Sequence, residues 1–175
     1  GNFVKHVQVI TVQDTKAPSF VEALPADATA ECDAVPAAVT LTATDRCDDN
    51  VPVVYTEVRT DGSCADSYTL TRTWVATDDC GNFVKHVQVI TVQDTKAPVL
   101  SGVPEDTEAF CDEIPEPAPV TATDACDQSP EVVLTEDNQV VEGCGIIIRT
   151  WTATDECGNS TSASQTITVR DNNSP

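Results

Sequence analysis

The chain has 175 residues, and 29 acidic against 9 basic residues give it a formal net charge of -20. This charge repels phosphate groups, so the composition excludes nucleic acid and an anionic membrane surface as expected partners. Apolar runs fall short of the ~18 residues of a membrane-spanning helix, so we expect no membrane insertion. Eight cysteines in a chain of this length instead predict a small folded protein stabilised by disulfide bonds.

An internal repeat organises the chain. Residues 1–18 recur letter for letter as residues 81–98, and a looser copy stands at 158–175. We therefore predict one repeat at 19–98, a second at 99–175, and in 1–18 the last strand and linker of a preceding repeat. We expect the chain to be an excerpt from a longer array of such repeats.

Each repeat is predicted to consist of short β-strands. In the first repeat the segments rich in Val, Thr, Ile and Tyr are 39–44, 53–58, 68–77 and 84–92, separated by clusters of Asp, Asn, Gly and Pro. No window carries the apolar stripe of an amphipathic helix. Six or seven strands in about 80 residues predict an all-β fold of tandem immunoglobulin-like sandwiches.

Alternation along the longest strands predicts which side chains face the core. The predicted core residues are Leu70, Trp74, Ala76, Ile90 and Val92 in the first repeat, and Ile147, Trp151, Ala153, Ile167 and Val169 in the second. Arg72 and Arg149 fall on the same faces as the tryptophans. We expect each arginine stem to pack beside its tryptophan, with the charged head at the edge of the core.

Four cysteines occupy matching places in each repeat: Cys32, Cys47, Cys64 and Cys80, then Cys111, Cys126, Cys144 and Cys157. None forms the closely spaced C-x₂-C pair that is typical of zinc sites, so we expect disulfides. Four cysteines allow three pairings, and only topology favours one. Turns at the same end of an immunoglobulin-like sandwich predict Cys32–Cys64, Cys47–Cys80, Cys111–Cys144 and Cys126–Cys157.

Four phrases of the first repeat carry a resemblance to a known family. They are A-E-C-D-x-x-P from residue 30, T-A-T-D-x-C from 42, R-T-W-x-A-T-D-x-C-G-N from 72 and Q-x-I-T-V-x-D from 88, and the second repeat has similar phrases. The chain resembles the hyalin-repeat (HYR)-like domains of giant Bacteroidetes surface proteins, including adhesins of the SprB gliding-motility type. The resemblance implies a secreted bacterial protein at the cell surface, outside the cell.

The resemblance also implies a third disulfide that this chain lacks. Many relatives join a cysteine near the start of the repeat to one in its last strand. The corresponding residues here are Leu24 with His86 in the first repeat and Val103 with Ala163 in the second. Both partners are missing together, so no odd thiol remains.

No constellation of catalytic residues is visible, and we expect no enzyme. The two histidines, His6 and His86, are copies of each other, and the second repeat has none. A Ser-His-Asp or Cys-His site would need a histidine in each catalytic repeat. We therefore expect His86 to be a partly buried strand residue in the place of the lost cysteine.

Acidic residues at the repeat junctions form candidate calcium sites. The linkers resemble the acidic joints of cadherin-like chains, and the sandwich topology predicts two groups of neighbouring aspartates. They are Asp14, Asp45, Asp48 and Asp78 at the first junction, and Asp94, Asp124, Asp127 and Asp155 at the second. Calcium takes six to eight oxygen ligands, which these carboxylates and nearby carbonyls would supply. The alternative is that they cap turns, and Lys96 beside Asp94 argues against a strong site.

The leading functional hypothesis is a non-catalytic stalk or spacer of a large bacterial surface adhesin or filament. Linkers that contain proline and lack a Gly/Ser-rich stretch favour limited flexibility between repeats. The alternatives are an adhesive module that binds carbohydrate or protein, and a subunit of a self-assembling filament. The expected partners are neighbouring repeats of the same chain, with surface glycans or proteins as further candidates.

Overall fold

In the computed structural model, residues 1–142 and 144–171 are described, and they form an all-β fold. Twelve strands occur among them: β1 Ser19–Phe20, β2 Ala28–Glu31, β3 Ala43–Thr44, β4 Val53–Asp61, β5 Tyr68–Thr77, β6 Phe83–Gln93, β7 Val99–Ser101, β8 Thr107–Phe110, β9 Thr121–Thr123, β10 Glu131–Asn138, β11 Gly145–Thr154 and β12 Ser160–Arg170. A single 3-10 turn at Cys32–Ala34 is the one helical element of this part of the chain. No helix in the described ranges has the length and apolar character to cross a membrane.

The strands form the same pair of sheets in each predicted repeat. A four-stranded sheet has the order β2-β6-β5-β4 in the first repeat and β10-β11-β12-β8 in the second. A two-stranded sheet is β1-β3 in the first and β7-β9 in the second. In the second repeat, β8 runs parallel to β12 and the other pairs are antiparallel, and β7 contacts β12. This sandwich-like arrangement confirms the predicted fold class.

The predicted core positions are confirmed as buried. On β5 and β11 every second residue from Leu70 and Ile147 onward lies inside, as period-two alternation requires. Trp74 and Trp151 are only 1% and 2% exposed. The Trp74 indole N–H donates to the Val39 carbonyl at 3.1 Å, which satisfies the one polar group of this large side chain.

The two arginines on the tryptophan faces do not place their heads at the edge of the core. Arg72 and Arg149 are each 4% exposed. The Arg72 Nε donates to Glu57 at 2.7 Å, and the Arg149 Nε donates to Glu136 at 2.8 Å. Their buried heads are stabilised by ion pairs across neighbouring strands, because a buried guanidinium requires a compensating charge.

The Glu57–Arg72 pair leads to a prediction about pH. The hydrogen bond from Arg72, and then that from Tyr55, holds the pKa of Glu57 below its usual value. A depressed folded pKa contributes stability above the unfolded value of about 4.3 and loses it as the pH falls through the folded pKa. We expect Glu57→Gln to lower the melting temperature above pH 5 and to make little difference near pH 2. Melting curves from pH 7 to pH 2 measure this, and a pH-independent deficit would contradict it.

The chain divides into two compact units, each made of several segments. Unit 1 comprises Gly1–Ala28, Ala37–Val58 and Leu70–Val89, and unit 2 comprises Thr29–Pro36, Arg59–Thr69 and Ile90–Pro175. Unit 2 thus contains three segments of the first predicted repeat, 29–36, 59–69 and 90–98, together with the second repeat. The repeat boundaries themselves stay a prediction from the sequence.

Residues 1–18 and 81–98 have one sequence and two structures. The second copy contains β6, whereas none of residues 1–18, all of them described, is assigned to a strand. Val4, Val9 and Val12 are at least 84% exposed. Strand formation here depends on neighbouring strands, which β6 has in β5 and β2. That 1–18 closes a preceding repeat stays a prediction.

Candidate functional site

Unit 2 contains two disulfide bonds that join the predicted repeats. Cys32, in the 3-10 turn after β2, is bonded to Cys126, which follows β9, with their Cα atoms 5.9 Å apart. Cys64, between β4 and β5, is bonded to Cys157, between β11 and β12, with a Cα separation of 5.1 Å. The bonded residues are 94 and 93 positions apart in sequence. Each bond therefore connects the first repeat to the second.

These bonds correct the predicted pairing, which joined cysteines within one repeat. The predicted pairs Cys32–Cys64 and Cys126–Cys157 are wrong, and Cys47–Cys80 and Cys111–Cys144 are not formed, since those four cysteines are free thiols. The physical reason is that the segments around residues 32 and 64 belong to unit 2. There they lie within bonding distance of cysteines of the second repeat.

Polar contacts around the linker accompany the disulfides in unit 2. Glu31 accepts hydrogen bonds from Gln93 and from the backbone and side chain of Thr95, at 3.1–3.2 Å. The Lys96 ammonium lies 2.7 Å from Asp33. The pKa of Glu31 is lowered mainly by the hydrogen bond from Gln93 and then by that from the Thr95 backbone. The pKa of Lys96 is raised by its hydrogen bond to Asp33. Lys96 thus pairs with Asp33.

Asp94 is the predicted calcium ligand with an unsatisfied oxygen. The residue is 7% exposed, and its Oδ1 accepts a hydrogen bond from the Lys96 backbone at 3.1 Å. Its Oδ2 is buried and has no hydrogen-bond partner among the described residues. Burial first, and then the negative charges of Asp124, Asp155 and Asp66, raise the pKa of Asp94. A buried carboxylate among other carboxylates is costly unless a cation or proton neutralises it.

The structure brings together two of the four predicted ligands at each junction. Ligand atoms of Asp94, Asp124 and Cys126 lie within 4.8 Å of one another, as do those of Asp14, Asp45 and Cys47. The Cys126 sulfur is bonded to Cys32, so it offers no thiolate. Asp66, whose charge reaches Asp94, was not predicted because it lies in the turn between β4 and β5, far from the linker in sequence.

The other four predicted ligands hold turns. Asp48 and Asp127 each accept backbone N–H groups at both carboxylate oxygens, and Asp78 and Asp155 each accept backbone and side-chain N–H groups of an asparagine four residues later. This is the turn-capping role that the sequence also allowed. These contacts fix the shape of the loops on which the cysteines and the remaining carboxylates stand.

His86 has the structural surroundings that its sequence context predicted. Its Nε2 lies 2.8 Å from the Pro25 carbonyl oxygen, and its ring centroid is 5.9 Å from that of Trp74. It is half-buried on β6. A hydrogen bond and a ring contact are what a strand residue at the edge of a core requires.

Comparison with known proteins gives one family match and a set of similar folds. Residues 104–169 match the HYR-like domain with four cysteines. Most of the second repeat is therefore similar to this family, in agreement with the resemblance in the sequence. The match includes all four cysteines of the second repeat. No similar protein is found among curated protein sequences.

Among solved structures, the chain is similar to two cadherin ectodomains. Drosophila N-cadherin EC1-4 has 15% identity and a TM-score of 0.36, with 89% of this chain and 50% of that chain covered. The human desmocollin-1 ectodomain has 13% identity and a TM-score of 0.32, with 90% and 42% covered. The chain thus spans half or less of these two chains.

Proposed function

We propose that the chain is a non-catalytic stalk or spacer segment of an extracellular adhesion-type protein. The observation that carries this proposal is the pair of disulfides between the predicted repeats, Cys32–Cys126 and Cys64–Cys157. Covalent bonds across a repeat boundary hold neighbouring modules together even when one of them unfolds. Disulfides persist in oxidising compartments, which supports a location outside the cell.

The bonds limit how far the chain can be extended by force. Each closes a loop of more than 90 residues, and the two loops overlap in sequence. An extended chain gains about 3.4 Å per residue, so the overlapping loops withhold roughly 300 Å of extension. A stalk under tension benefits from this limit, because an unfolded module stays short and close to its neighbours.

Force spectroscopy tests this mechanical role. We expect the chain, pulled from its two ends, to reach a fully unfolded length that is roughly 300 Å shorter under oxidising conditions than after reduction, since both loops stay closed. A variant with Cys32→Ala and Cys64→Ala should show the longer length in both conditions. Equal lengths for the oxidised and reduced chain would contradict the role.

The setting that we propose is a giant bacterial surface adhesin of the kind found in gliding Bacteroidetes, and it rests on the sequence resemblance to HYR-like domains. An adhesive module would be the alternative. Glycan-array and cell-adhesion assays separate the two: a spacer binds no glycan and no cell, whereas retention by either identifies the chain as a binding module.

We also propose a calcium site at Asp94 and Asp124, with an equivalent at Asp14 and Asp45. The buried Asp94 Oδ2 without a partner supports it, because an oxygen in this position needs a cation or a proton. Two carboxylates supply part of the six to eight oxygens that calcium takes, and carbonyl oxygens and water complete the set. The charges of Asp155 and Asp66 add to the negative potential at this site.

Asp94→Asn tests the calcium site. At calcium concentrations about 100 times the dissociation constant, we expect calcium at this site to stabilise the chain by about 2.7 kcal/mol, and the variant to lose this contribution and the part of the binding heat that belongs to the Asp94 site. Without calcium the variant should be at least as stable, because burial of an amide costs less than burial of a carboxylate. The exposed Asp49→Asn is the control and should keep the response. Calorimetry without heat and an unchanged melting temperature for the unmodified chain would contradict the proposal.

A further inference from the structure

The four free cysteines are the repeat counterparts of the four bonded ones. The alignment of the two repeats pairs free with bonded as follows: Cys47 with Cys126, Cys80 with Cys157, Cys111 with Cys32, and Cys144 with Cys64. The first repeat thus leaves unbonded the two cysteines that the second repeat uses. The second repeat leaves unbonded the two that the first repeat uses.

The turn at Cys47 shares a hydrogen bond with the turn at the bonded Cys126. The Cys47 backbone N–H donates to Asp45 Oδ1 at 2.8 Å, and the Cys126 backbone N–H donates to Asp124 Oδ1 at 2.8 Å. The free cysteine is exposed. The backbone of Cys47 is therefore held by the same kind of aspartate contact as that of its bonded counterpart, and its side chain is accessible.

A hydrogen bond also joins the turn of Cys47 to the turn of Cys80. An equivalent bond joins the turns of Cys126 and Cys157 in the second repeat. Asp48 Oδ2 accepts the Asp79 backbone N–H at 3.0 Å, and Asp127 Oδ2 accepts the Glu156 backbone N–H at 3.1 Å. Asp79 and Glu156 each directly precede the second cysteine of the pair. Unit 1 thus presents Cys47 and Cys80 on the framework that positions two bonded cysteines in unit 2.

The other two thiols lie on turns of unit 2, and a groove is lined by residues on both sides of Cys111 in sequence. Cys111 packs against the buried cluster of the second repeat, and Cys144 forms a reciprocal pair of backbone hydrogen bonds with Val141 at 2.8 and 3.0 Å. The groove has a volume of about 500 Å³ and includes Phe110, which is 44% exposed. The counterpart of this segment in the first repeat carries Cys32, which is bonded to the next repeat.

We propose that Cys111 and Cys144 form disulfides with a following repeat of the same kind, and that Cys47 and Cys80 do so with a preceding one. The pattern is that of the two observed bonds. Of two successive repeats, the earlier contributes the counterparts of Cys32 and Cys64, and the later contributes the counterparts of Cys126 and Cys157, in that order. Every junction of an array then carries two disulfides, and each repeat uses all four of its cysteines. The inference goes beyond the stalk role and holds whatever the array is used for.

Each bond forms by two exchange steps with a disulfide oxidant, such as oxidised glutathione or the disulfide of an oxidoreductase. One cysteine thiolate attacks the oxidant, which releases one of its thiols and leaves a mixed disulfide. The thiolate of the neighbouring repeat then displaces the second thiol. The two cysteines lose two protons and two electrons in total, and the oxidant is reduced to two thiols.

A tandem chain creates the missing junction. Residues 1–175 are followed directly by a second copy of residues 19–175. Residues 171–175 of the first copy then precede Ser19 of the second copy, as residues 14–18 precede Ser19 in the original chain. In the first copy Cys47 and Cys80 are replaced by serine, and in the second copy Cys111 and Cys144 are. The four thiols that remain unassigned are then those of the new junction. The chain is refolded with oxidised and reduced glutathione and digested without reduction.

The expected products are peptides that link Cys111 to Cys47 and Cys144 to Cys80, with no thiol left to react with a maleimide. The further change Cys111→Ser in the first copy should expose one thiol, Cys47 of the second copy, and leave the other bond intact. The Cys32–Cys126 bonds within each copy report correct folding. If the Cys32–Cys126 bonds form while the junction thiols stay reactive or pair within one repeat, the proposal is overturned. If the Cys32–Cys126 bonds themselves do not form, the premise that repeats are joined by disulfides is overturned.

Discussion

Replacing Cys32 and Cys126 together by alanine is expected to lower the free energy of unfolding by about 4 kcal/mol. The bond closes a loop of 94 residues, and in the chain-entropy model its removal returns that much conformational freedom to the unfolded state. A small domain has only about 5–15 kcal/mol of stability in total, so the loss is large. Urea unfolding of the oxidised chain, followed by tryptophan fluorescence, measures it.

The matched control is Cys47→Ala with Cys80→Ala. Both cysteines are free and exposed in the chain, so their removal is expected to change the free energy of unfolding by less than about 0.5 kcal/mol. A loss of several kcal/mol in this control would mean that Cys47 and Cys80 are bonded to each other, as the pairing within one repeat requires, and would contradict the bonds between repeats.

Glu136→Leu is expected to destabilise the second repeat by about 2–3 kcal/mol. The change leaves the Arg149 guanidinium, whose side chain is 5% exposed, buried without its partner. Loss of one member of a fully buried pair costs about 3–5 kcal/mol, and the expected value is lower because the Glu136 side chain is 38% exposed. Chemical denaturation of the variant and the unmodified chain gives the difference.

Two further variants separate the buried charge from a general effect of the substitution. Glu136→Leu with Arg149→Met removes both charges and should recover most of the lost stability, since no unpaired ion remains. Glu108→Leu breaks the exposed pair with Arg170, in which both side chains are about 60% exposed, and should cost less than about 1 kcal/mol. A double variant as unstable as Glu136→Leu would contradict the explanation.

The fold was predictable because its signals are local. β5 has the predicted bounds, Tyr68–Thr77, and β6 extends the predicted segment 84–92 by one residue at each end. Period-two alternation located the buried faces on both strands. The segment predicted at 39–44 is shorter in the structure, where only Ala43–Thr44 pairs with β1.

The partners of buried and bonded groups were not predictable, because they depend on contacts far apart in sequence. Alternation placed Arg149 on the core face, but the choice of Glu136 as its partner depends on the register in which β10 faces β11. The cysteine turns were located correctly, yet nothing local distinguishes a partner in the same repeat from one in the next. The free Cys47 and the bonded Cys126 even have the same backbone hydrogen bond to an aspartate two residues earlier.

The candidate calcium site was predictable in composition and only in part in geometry. Eight aspartates were predicted, and the structure brings Asp94 close to Asp124 and Asp14 close to Asp45. The remaining four carboxylates hold backbone turns, a role that the same residue type at the same spacing fulfils equally well. Only burial distinguishes Asp94, whose Oδ2 lacks a partner in the described part of the chain.

Peptide mapping without reduction tests whether successive repeats are joined covalently. Trypsin combined with digestion at glutamate places Cys32 in peptide 32–46, Cys64 in 60–72, Cys126 in 114–131 and Cys157 in 157–170. The structure predicts that 32–46 is linked to 114–131 and 60–72 to 157–170. Links between 32–46 and 60–72, and between 114–131 and 157–170, would contradict the bonds between repeats.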